Sequence, residues 1–297
     1  MRSRVYAYLD LEHPAVAWAT MRGLITSASY SSENSDAGFV SFMYAGMLRY
    51  QNNSRLFNES IIEIIRQSSF THQTSRLRGM YFFRTKQEAQ ALAGARSWPP
   101  YFIPNNLVSL ELRSPSLGTI VDANWITFAP LQPDNRLSLS DLSWISRYWS
   151  GEAYNSTPVW ELIAEGVAVV RDEQVRRRSF DLAKKTFPKA HIPILMARLA
   201  GEAGSRGGQI SPFLLHESDM RYRLDYITND GDFHQAGVIA SIAKHPDSGA
   251  LARMMHENET WNLPDFRPWA RTFDLGSQSS TELTAFKIAS VHHVDSA

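Results

Sequence analysis

The chain has 297 residues, with 30 basic (Lys and Arg) and 30 acidic side chains, 43% apolar and 11% aromatic residues, and no cysteine. This composition is typical of a globular protein of one or two domains; balanced charge disfavours a strong polyanion binder, and the lack of cysteine excludes disulfides, thiol nucleophiles and cysteine-based metal sites. Because Asp10, Glu12 and His13 interrupt the N-terminal region and no long apolar run follows, we expect a cytoplasmic protein without membrane contact.

Strand and helix patterns alternate in the first part of the chain. The predicted elements are a strand at residues 4–9, a helix at 15–25 closed by Gly23, a loop at 26–36 and a helix at 39–50. Asn58 is expected to cap a further helix that carries four isoleucines and ends near Ser68. Together these patterns predict a mixture of strands and well-buried helices.

A similar alternation continues to about residue 171. The predicted elements are a buried strand at residues 80–83, a helix at 85–95, strands at 107–112 and 118–121, a helix starting at Ser138 or Ser140, and a strand at 167–170. Thr85 and Glu88 have the spacing of a capping box. Thr157 followed by Pro158 predicts a short helix with Glu161 in its first turn. The fold class predicted for this part is α+β.

The character of the sequence changes after Arg171. Basic residues interrupt a helical stretch, and residues 201–208 contain four glycines, which predict a boundary or hinge between 171 and 208. We therefore expect one domain over residues 1–180 and a smaller, mostly helical C-terminal module over 181–297, with helices at 237–244 and 249–257.

Several familiar catalytic motifs are missing. The glycine cluster lacks the Lys-Ser/Thr of a phosphate-binding loop, the nine histidines form no His-x-x-x-His pair, and no Gly-x-Ser-x-Gly elbow occurs. His292 and His293 are adjacent, and side chains at i and i+1 diverge on regular elements. No metal site is expected.

Residues 74–83 form the first candidate functional segment. Ser75, Arg76 and Arg78 precede a predicted core strand, and guanidinium groups at the rim of a sheet can bind a diphosphate or a ribose edge. The alternative is a solvated loop whose arginines pair with surface acids, with Tyr81 in the core.

Residues 148–162 form the second candidate segment. It offers the aromatic rings of Tyr148 and Trp160 and the carboxylate of Glu161. Glu161 could hydrogen-bond a ribose 2′-hydroxyl and stabilise an oxocarbenium-like transition state, as carboxylates do in glycosidic cleavage. The alternative is a structural role, in which the negative charge of Glu161 interacts favourably with the partial positive charge at a helix N-terminus.

Over roughly residues 4–171 these segments resemble the ADP-ribosyltransferase-like superfamily, of the bacterial and phage-defence toxin type. The resemblance implies a split β-sheet core that binds NAD as a substrate in a cleft. It places Tyr8 or Tyr6 with Arg4 in the first position of the site, Ser75-Arg76 with Tyr81 in the NAD-gripping region, and Glu161 in the catalytic position. Position 159 is Val, where members that modify proteins often carry Glu or Gln.

The function implied by the resemblance is that of a mono-ADP-ribosyltransferase toxin in a toxin–antitoxin or antiphage system. It would transfer ADP-ribose from NAD to RNA, DNA or protein, under the control of a neutralising antitoxin protein. Arg76, with Arg78, would anchor the diphosphate; Tyr81, Trp160 or Tyr148 would stack on nicotinamide; and Glu161 would stabilise the ribosyl cation.

Two other functions are compatible with the sequence. A non-catalytic interaction module could use an aromatic surface of Trp261, Phe266, Trp269 and Phe273. A nucleic-acid binder could use the basic residues between 171 and 185, although at helical spacing these fall around the cylinder and are more typical of a solvated helix.

Overall fold

A computed structural model describes residues 2–28, 38–50, 53–218, 221–256 and 262–275. The strands in these ranges are β1 (Arg2–Tyr8), β2 (Leu24–Thr26), β3 (Met80–Phe82), β4 (Leu107–Arg113), β5 (Thr119–Asp122), β6 (Trp160–Ala164), β7 (Val167–Val170), β8 (Gln209–Ser218), β9 (Arg221–Asn229) and β10 (Arg271–Asp274). The helices are α1 (Pro14–Arg22), α2 (Phe42–Tyr50), α3 (Asn53–Ser69), α4 (Lys86–Gln90), α5 (Asn124–Thr127), α6 (Ser143–Trp149), α7 (Glu173–Thr186), α8 (His191–Glu202), α9 (Ala236–Ala243) and α10 (Ser248–His256).

The strands form three antiparallel sheets. The first sheet has the order β1-β4-β7-β2, the second β3-β6-β5 and the third β10-β9-β8. The first and second sheets meet where Tyr6 and Phe83 exchange backbone hydrogen bonds of 2.9 and 2.8 Å. The mixed α and β architecture predicted from the sequence is therefore present, with β6 as the central strand of the second sheet.

Apolar side chains cover both faces of the second sheet. Met80, Phe82, Leu162 and Ala164 belong to a core shared with the first sheet, α1 and α8. Alternate residues of the same strands, such as Ile163, face a second core formed with α2, α3, α6 and the third sheet. A strand with both faces buried holds its side chains rigidly, which matters for the acid at position 161.

Local signals in the sequence identify several element ends correctly. The side chain of His13 accepts a hydrogen bond from the backbone N–H of Ala15 at the start of α1, and Gly23 ends that helix with a φ of 80°. Thr85 and Glu88 form the expected capping box of α4, although the helix ends at Gln90 rather than 95. Asn58 is not a cap: it lies inside α3, and its amide bonds the backbone of residues 135 and 137.

In the described residues after position 180, helices are accompanied by a three-stranded sheet, which the prediction of a mostly helical module did not include. β8 and β9 pair along nearly their whole lengths, and β10 adds to β9. Helices do occur near the two predicted positions, as α9 and α10. β8 begins with four consecutive buried residues, and only the first part of β9 alternates, with Tyr222 and Leu224 buried, so the period-2 pattern of a half-buried strand is weak here.

Residues from both sides of position 180 pack in one core. Trp18 of α1 contacts Phe187 and Phe266 edge-on, with ring centroids 6.0 Å apart in each case. Gly208 at the end of the glycine cluster is tightly packed, since a Cβ there would lie 2.5 Å from the Cβ of Ala197, whereas Gly204 has open space. The division into two domains at residue 180 stays a prediction. No helix within the described ranges combines the length and apolar character needed to cross a bilayer.

Candidate functional site

Glu161 lies in β6, so the helix predicted after Pro158 is wrong. Trp160 to Ala164 pair with β5 on one side and β3 on the other, with Val121 opposite Glu161. The β-branched and aromatic residues of this segment favour a buried strand, and the hydroxyl of Thr157 bonds Asn155 instead of capping a helix. Because adjacent strand residues face opposite sides, Trp160 and Glu161 point away from each other.

Arg76 projects from a tight loop between α3 and β3. The Ser75 hydroxyl accepts a hydrogen bond from the N–H of Leu77, and the Ser75 carbonyl accepts one from the N–H of Gly79 at 2.8 Å. Glycine is needed at position 79 because a Cβ would lie 2.7 Å from the side chain of Ile163. The hydroxyl of Tyr81 donates to the carbonyl of Arg76. These contacts fix the backbone from which the guanidinium extends.

The Arg76 guanidinium joins two carboxylates. Its Nε donates to Glu59 Oε2 at 2.8 Å and its Nη2 to Glu59 Oε1 at 3.1 Å, a bidentate pair. Its Nη1 donates to the Tyr148 hydroxyl at 2.7 Å and to Glu161 Oε2 at 3.3 Å. With Arg76 only 3% exposed, almost all of its hydrogen-bonding capacity is used inside the protein.

Glu59 is the member of this network that the sequence analysis missed. It lies in α3, is 1% exposed, and also pairs with Arg55 one turn earlier at 2.6 Å. The spacing of Arg55 and Glu59 was visible in the sequence, but such i,i+4 pairs are common on solvated helix faces. Leu56 and Ile62, three residues before and after Glu59, are apolar and buried. In the sequence, this apolar spacing is the signal that Glu59 lies near the inner face of α3.

The two carboxylates of this network have different electrostatic environments. Burial by itself would raise the pKa of Glu59, but Arg76 and Arg55 together outweigh it and lower that pKa. Burial raises the pKa of Glu161, and the single contact with Arg76 offsets this only in part. Glu161 is therefore the carboxylate that is more costly to keep ionised.

A cavity of about 500 Å³, the first cavity, lies beside Glu161 and Arg76. Its other walls include the aromatic rings of Tyr8, Tyr81, Phe83, Trp98 and Phe102. The rings of Tyr8 and Phe102 stack with centroids 4.3 Å apart. Glu161 is 8% exposed, and no described residue donates to its Oε1. That oxygen is available to a ligand in the cavity.

The structure brings together some of the predicted site residues and separates others. Arg76, Glu161, Tyr81 and Tyr148 form one contact network, and the Arg76 guanidinium lies 4.9 and 5.7 Å from the ring centres of Tyr81 and Tyr148. Tyr8 is on another wall of the first cavity, where its hydroxyl bonds the carbonyl of residue 89. The first cavity is not lined by Ser75, Arg78, Tyr148 or Trp160.

Arg96 is a second residue that the sequence analysis missed. It lines the first cavity and is exposed, and no described residue forms an ion pair or hydrogen bond with it. Arg76, by contrast, is already bonded to two acids. The cation at this cavity that is free to meet an anionic ligand is therefore Arg96. An isolated arginine in an Ala- and Gly-rich stretch carries no signal in the sequence.

The alternative sites considered from the sequence are only partly formed. Phe266 and Phe273 are buried in the two cores, so they do not form an exposed aromatic surface with Trp269; Trp261 lies outside the described residues. In α7, Arg176 turns inward and pairs with Glu202, whereas Arg177 and Lys184 are exposed. Arg177, Arg178 and Lys185 border the same surface depression, so these exposed basic residues share one side of the helix and do not fall around it.

No cluster of three or more His, Asp and Glu side chains suited to a metal ion occurs among the described residues, and His292 and His293 lie outside them. Comparison of the chain with protein-family models, curated proteins and solved structures gives no match.

Proposed function

We propose that this protein cleaves the nicotinamide–ribose bond of NAD and transfers ADP-ribose to a macromolecular acceptor. The observation that carries the proposal is the Glu161 carboxylate at the wall of the first cavity, held through one oxygen by the buried Arg76. A rigidly held carboxylate with one free oxygen is suited to stabilise positive charge that develops on a ribose ring.

The reaction is a substitution at C1′ of the nicotinamide ribose. The C1′–N bond breaks, and its electron pair leaves with nicotinamide, which departs as a neutral molecule. A lone pair of the acceptor forms the new bond to C1′, and the acceptor's proton passes to solvent or to a nearby base. Glu161 Oε1 would accept a hydrogen bond from the ribose 2′-hydroxyl and stabilise the cationic transition state.

The remaining walls of the first cavity supply groups for the other parts of NAD. Aromatic rings such as Tyr8 and Trp98 offer flat apolar surfaces for the nicotinamide or adenine ring. Arg96 would pair with the diphosphate, the role expected from the resemblance for Arg76 with Arg78. In this proposal Arg76 acts through Glu161 and does not contact the diphosphate.

Release of free nicotinamide from NAD by the purified protein tests the proposal. Glu161→Gln keeps the side-chain shape and should lower the release rate by at least about a hundredfold, the scale seen when one transition-state contact is removed. Glu165→Gln is the matched control, because Glu165 follows the same strand but does not line the first cavity. Full activity of Glu161→Gln, or none in the wild type, would contradict the proposal.

A further inference from the structure

Four basic residues of α7 are exposed and lie on one side of the helix, which we call the basic side of α7: Arg177, Arg178, Lys184 and Lys185. At about 100° of rotation per residue, they fall within an arc of about 120°. Arg176 lies outside this arc and pairs with Glu202. Positive charge is therefore concentrated along one line of the protein surface.

Little negative charge of the protein lies close to the basic side of α7. Arg177, Lys184 and Lys185 form no ion pair with any described residue, and the contact of Arg178 with Glu12 is a long one of 4.0 Å. The surface depression on this side is bordered by three of the four cations and by one acid, Asp181. Because the chain as a whole has 30 basic and 30 acidic residues, this surplus is local, and it favours an anionic partner.

The spacing of these cations suits a row of phosphate groups. Arg177 and Lys185 are eight residues apart on α7, which separates them by about 12 Å along the helix axis. Phosphates follow one another at about 3.4 Å along one strand of a duplex, so this length spans about three to four of them. The three cations at the surface depression can therefore each contact a different phosphate.

An acidic protein would also bring negative charge, but the basic side of α7 lacks the centre of a typical protein interface. Such centres are rich in exposed apolar and aromatic side chains. Leu182, at the surface depression, is already half-buried, and the ring of Phe180 is covered by Lys184 and Arg198, at 5.8 and 5.3 Å from its centre. Contacts with phosphates need no apolar centre, and they supply nearly all of the sequence-independent binding of nucleic acids.

We propose that the basic side of α7 binds the phosphate backbone of a nucleic acid. The further step, that this nucleic acid receives ADP-ribose, rests on the proposed function. It is supported by the position of Arg178, whose Nη1 donates to the carbonyl of Asn105 at 3.5 Å, three residues after Phe102 in the wall of the first cavity. Three residues span at most about 11 Å, so a strand bound at α7 lies within reach of the first cavity.

Fluorescence anisotropy of a short, labelled single-stranded oligonucleotide tests phosphate binding. With three phosphate contacts, the logarithm of the binding constant should fall with the logarithm of the salt concentration with a slope of about −2, which weakens binding about twentyfold between 50 and 200 mM salt. Arg177→Ala combined with Lys185→Ala removes two contacts and should reduce the slope to about −0.7. A change in the base sequence of the oligonucleotide should have little effect, because phosphate contacts carry no sequence information.

Lys244→Ala combined with Arg253→Ala is the matched control. Both residues are exposed and basic, so the same charge is removed from the protein, but neither borders the surface depression on α7. This variant should keep the slope of the wild type. Thermal unfolding shows whether each variant is folded.

The outcomes separate the two proposals. Phosphate binding at α7 is overturned if the wild type does not bind the oligonucleotide at 50 mM salt and about 100 μM protein, the weak end of non-specific binding, or if the α7 double variant keeps the wild-type slope. Binding of polyglutamate without binding of the oligonucleotide would overturn it in favour of an acidic protein partner. If the oligonucleotide binds as expected but no nicotinamide is released from NAD, the proposed function fails and the phosphate site stands. If the α7 double variant binds the oligonucleotide more weakly but transfers ADP-ribose to it as the wild type does, the nucleic acid bound at α7 is not the acceptor.

Discussion

Replacement of Glu59 by Gln removes one negative charge from the buried network while it keeps the size of the side chain. Glu59 accepts two hydrogen bonds from Arg76 and pairs with Arg55, and all three side chains are largely buried. Removing one member of a buried pair leaves its partner's charge poorly compensated, which typically costs about 3–5 kcal/mol. Because Arg76 keeps its contact with Glu161 and Gln still offers a carbonyl oxygen, we expect the lower end, about 3 kcal/mol.

The loss should appear in thermal unfolding as a decrease in Tm of roughly 6 °C, at about 2 °C per kcal/mol for a chain of this size. Burial is the main cause of the raised pKa of Glu161, and the charge of Glu59 adds to it, so the variant should also shift the acid limb of the pH profile of nicotinamide release to lower pH. Glu63→Gln is the matched control for the pH profile: Glu63 is a buried acid of the same helix that pairs with Arg66, so its replacement should also lower the Tm but should leave the acid limb in place. A Tm loss below about 2 °C, or an acid limb that stays in place, would refute this account of the network.

Two further predictions address the cavity and the pH dependence of stability. Arg96→Ala should raise the KM for NAD about tenfold with little change in kcat. This is the result expected when one charge-assisted bond is lost that the ground state and the transition state make equally. The control Arg177→Ala, on α7, should change neither constant. Burial and the nearby Arg49 lower the pKa of His13 to about 3, so the fold favours neutral His13 and its stability is retained above pH 6.5 but lost as the pH falls towards 3. Between pH 7.5 and 5 the wild type should lose about 2 kcal/mol of its free energy of unfolding through His13. In His13→Asn, denaturant unfolding at the two pH values should show a decrease that is smaller by this amount. If the decrease is the same as in the wild type, His13 is not its source.

The elements that the sequence predicted well are those set by local chemistry. Gly23 ends α1 because a positive φ favours glycine, and Thr85 with Glu88 caps α4 through side chains three residues apart. The sequence was misleading at residues 157–164, where Thr-Pro resembles a helix start. There the strand is stabilised by pairing with β3 and β5, which are about 80 and 40 residues away in the chain. Such long-range pairing leaves little local signal.

The candidate site was predictable only in part, for a related reason. Arg76 and Glu161 were identified from their residue types, and their contact at 3.3 Å is now described. The sequence could not show that α3 would bring Glu59 to Arg76, since a helix face is oriented by tertiary packing. It also could not distinguish a buried guanidinium from a free one, which is why Arg96 was missed.

The environments of Glu59 and Glu161 explain why the chemistry is assigned to the second of these acids. Both contact the same guanidinium, but Glu59 has the charges of two arginines and both of its oxygens engaged, and its pKa is lowered. Glu161 shares a single Nη1 with Tyr148, keeps one oxygen free towards the first cavity, and has a raised pKa. When two neighbouring titratable groups have different pKa values because of their environments, one of them commonly has a structural role and the other a chemical role. Glu59 therefore holds the Arg76 guanidinium in place, and under the proposed function Glu161, costly to ionise and open to a ligand, would gain most from positive charge that develops beside it.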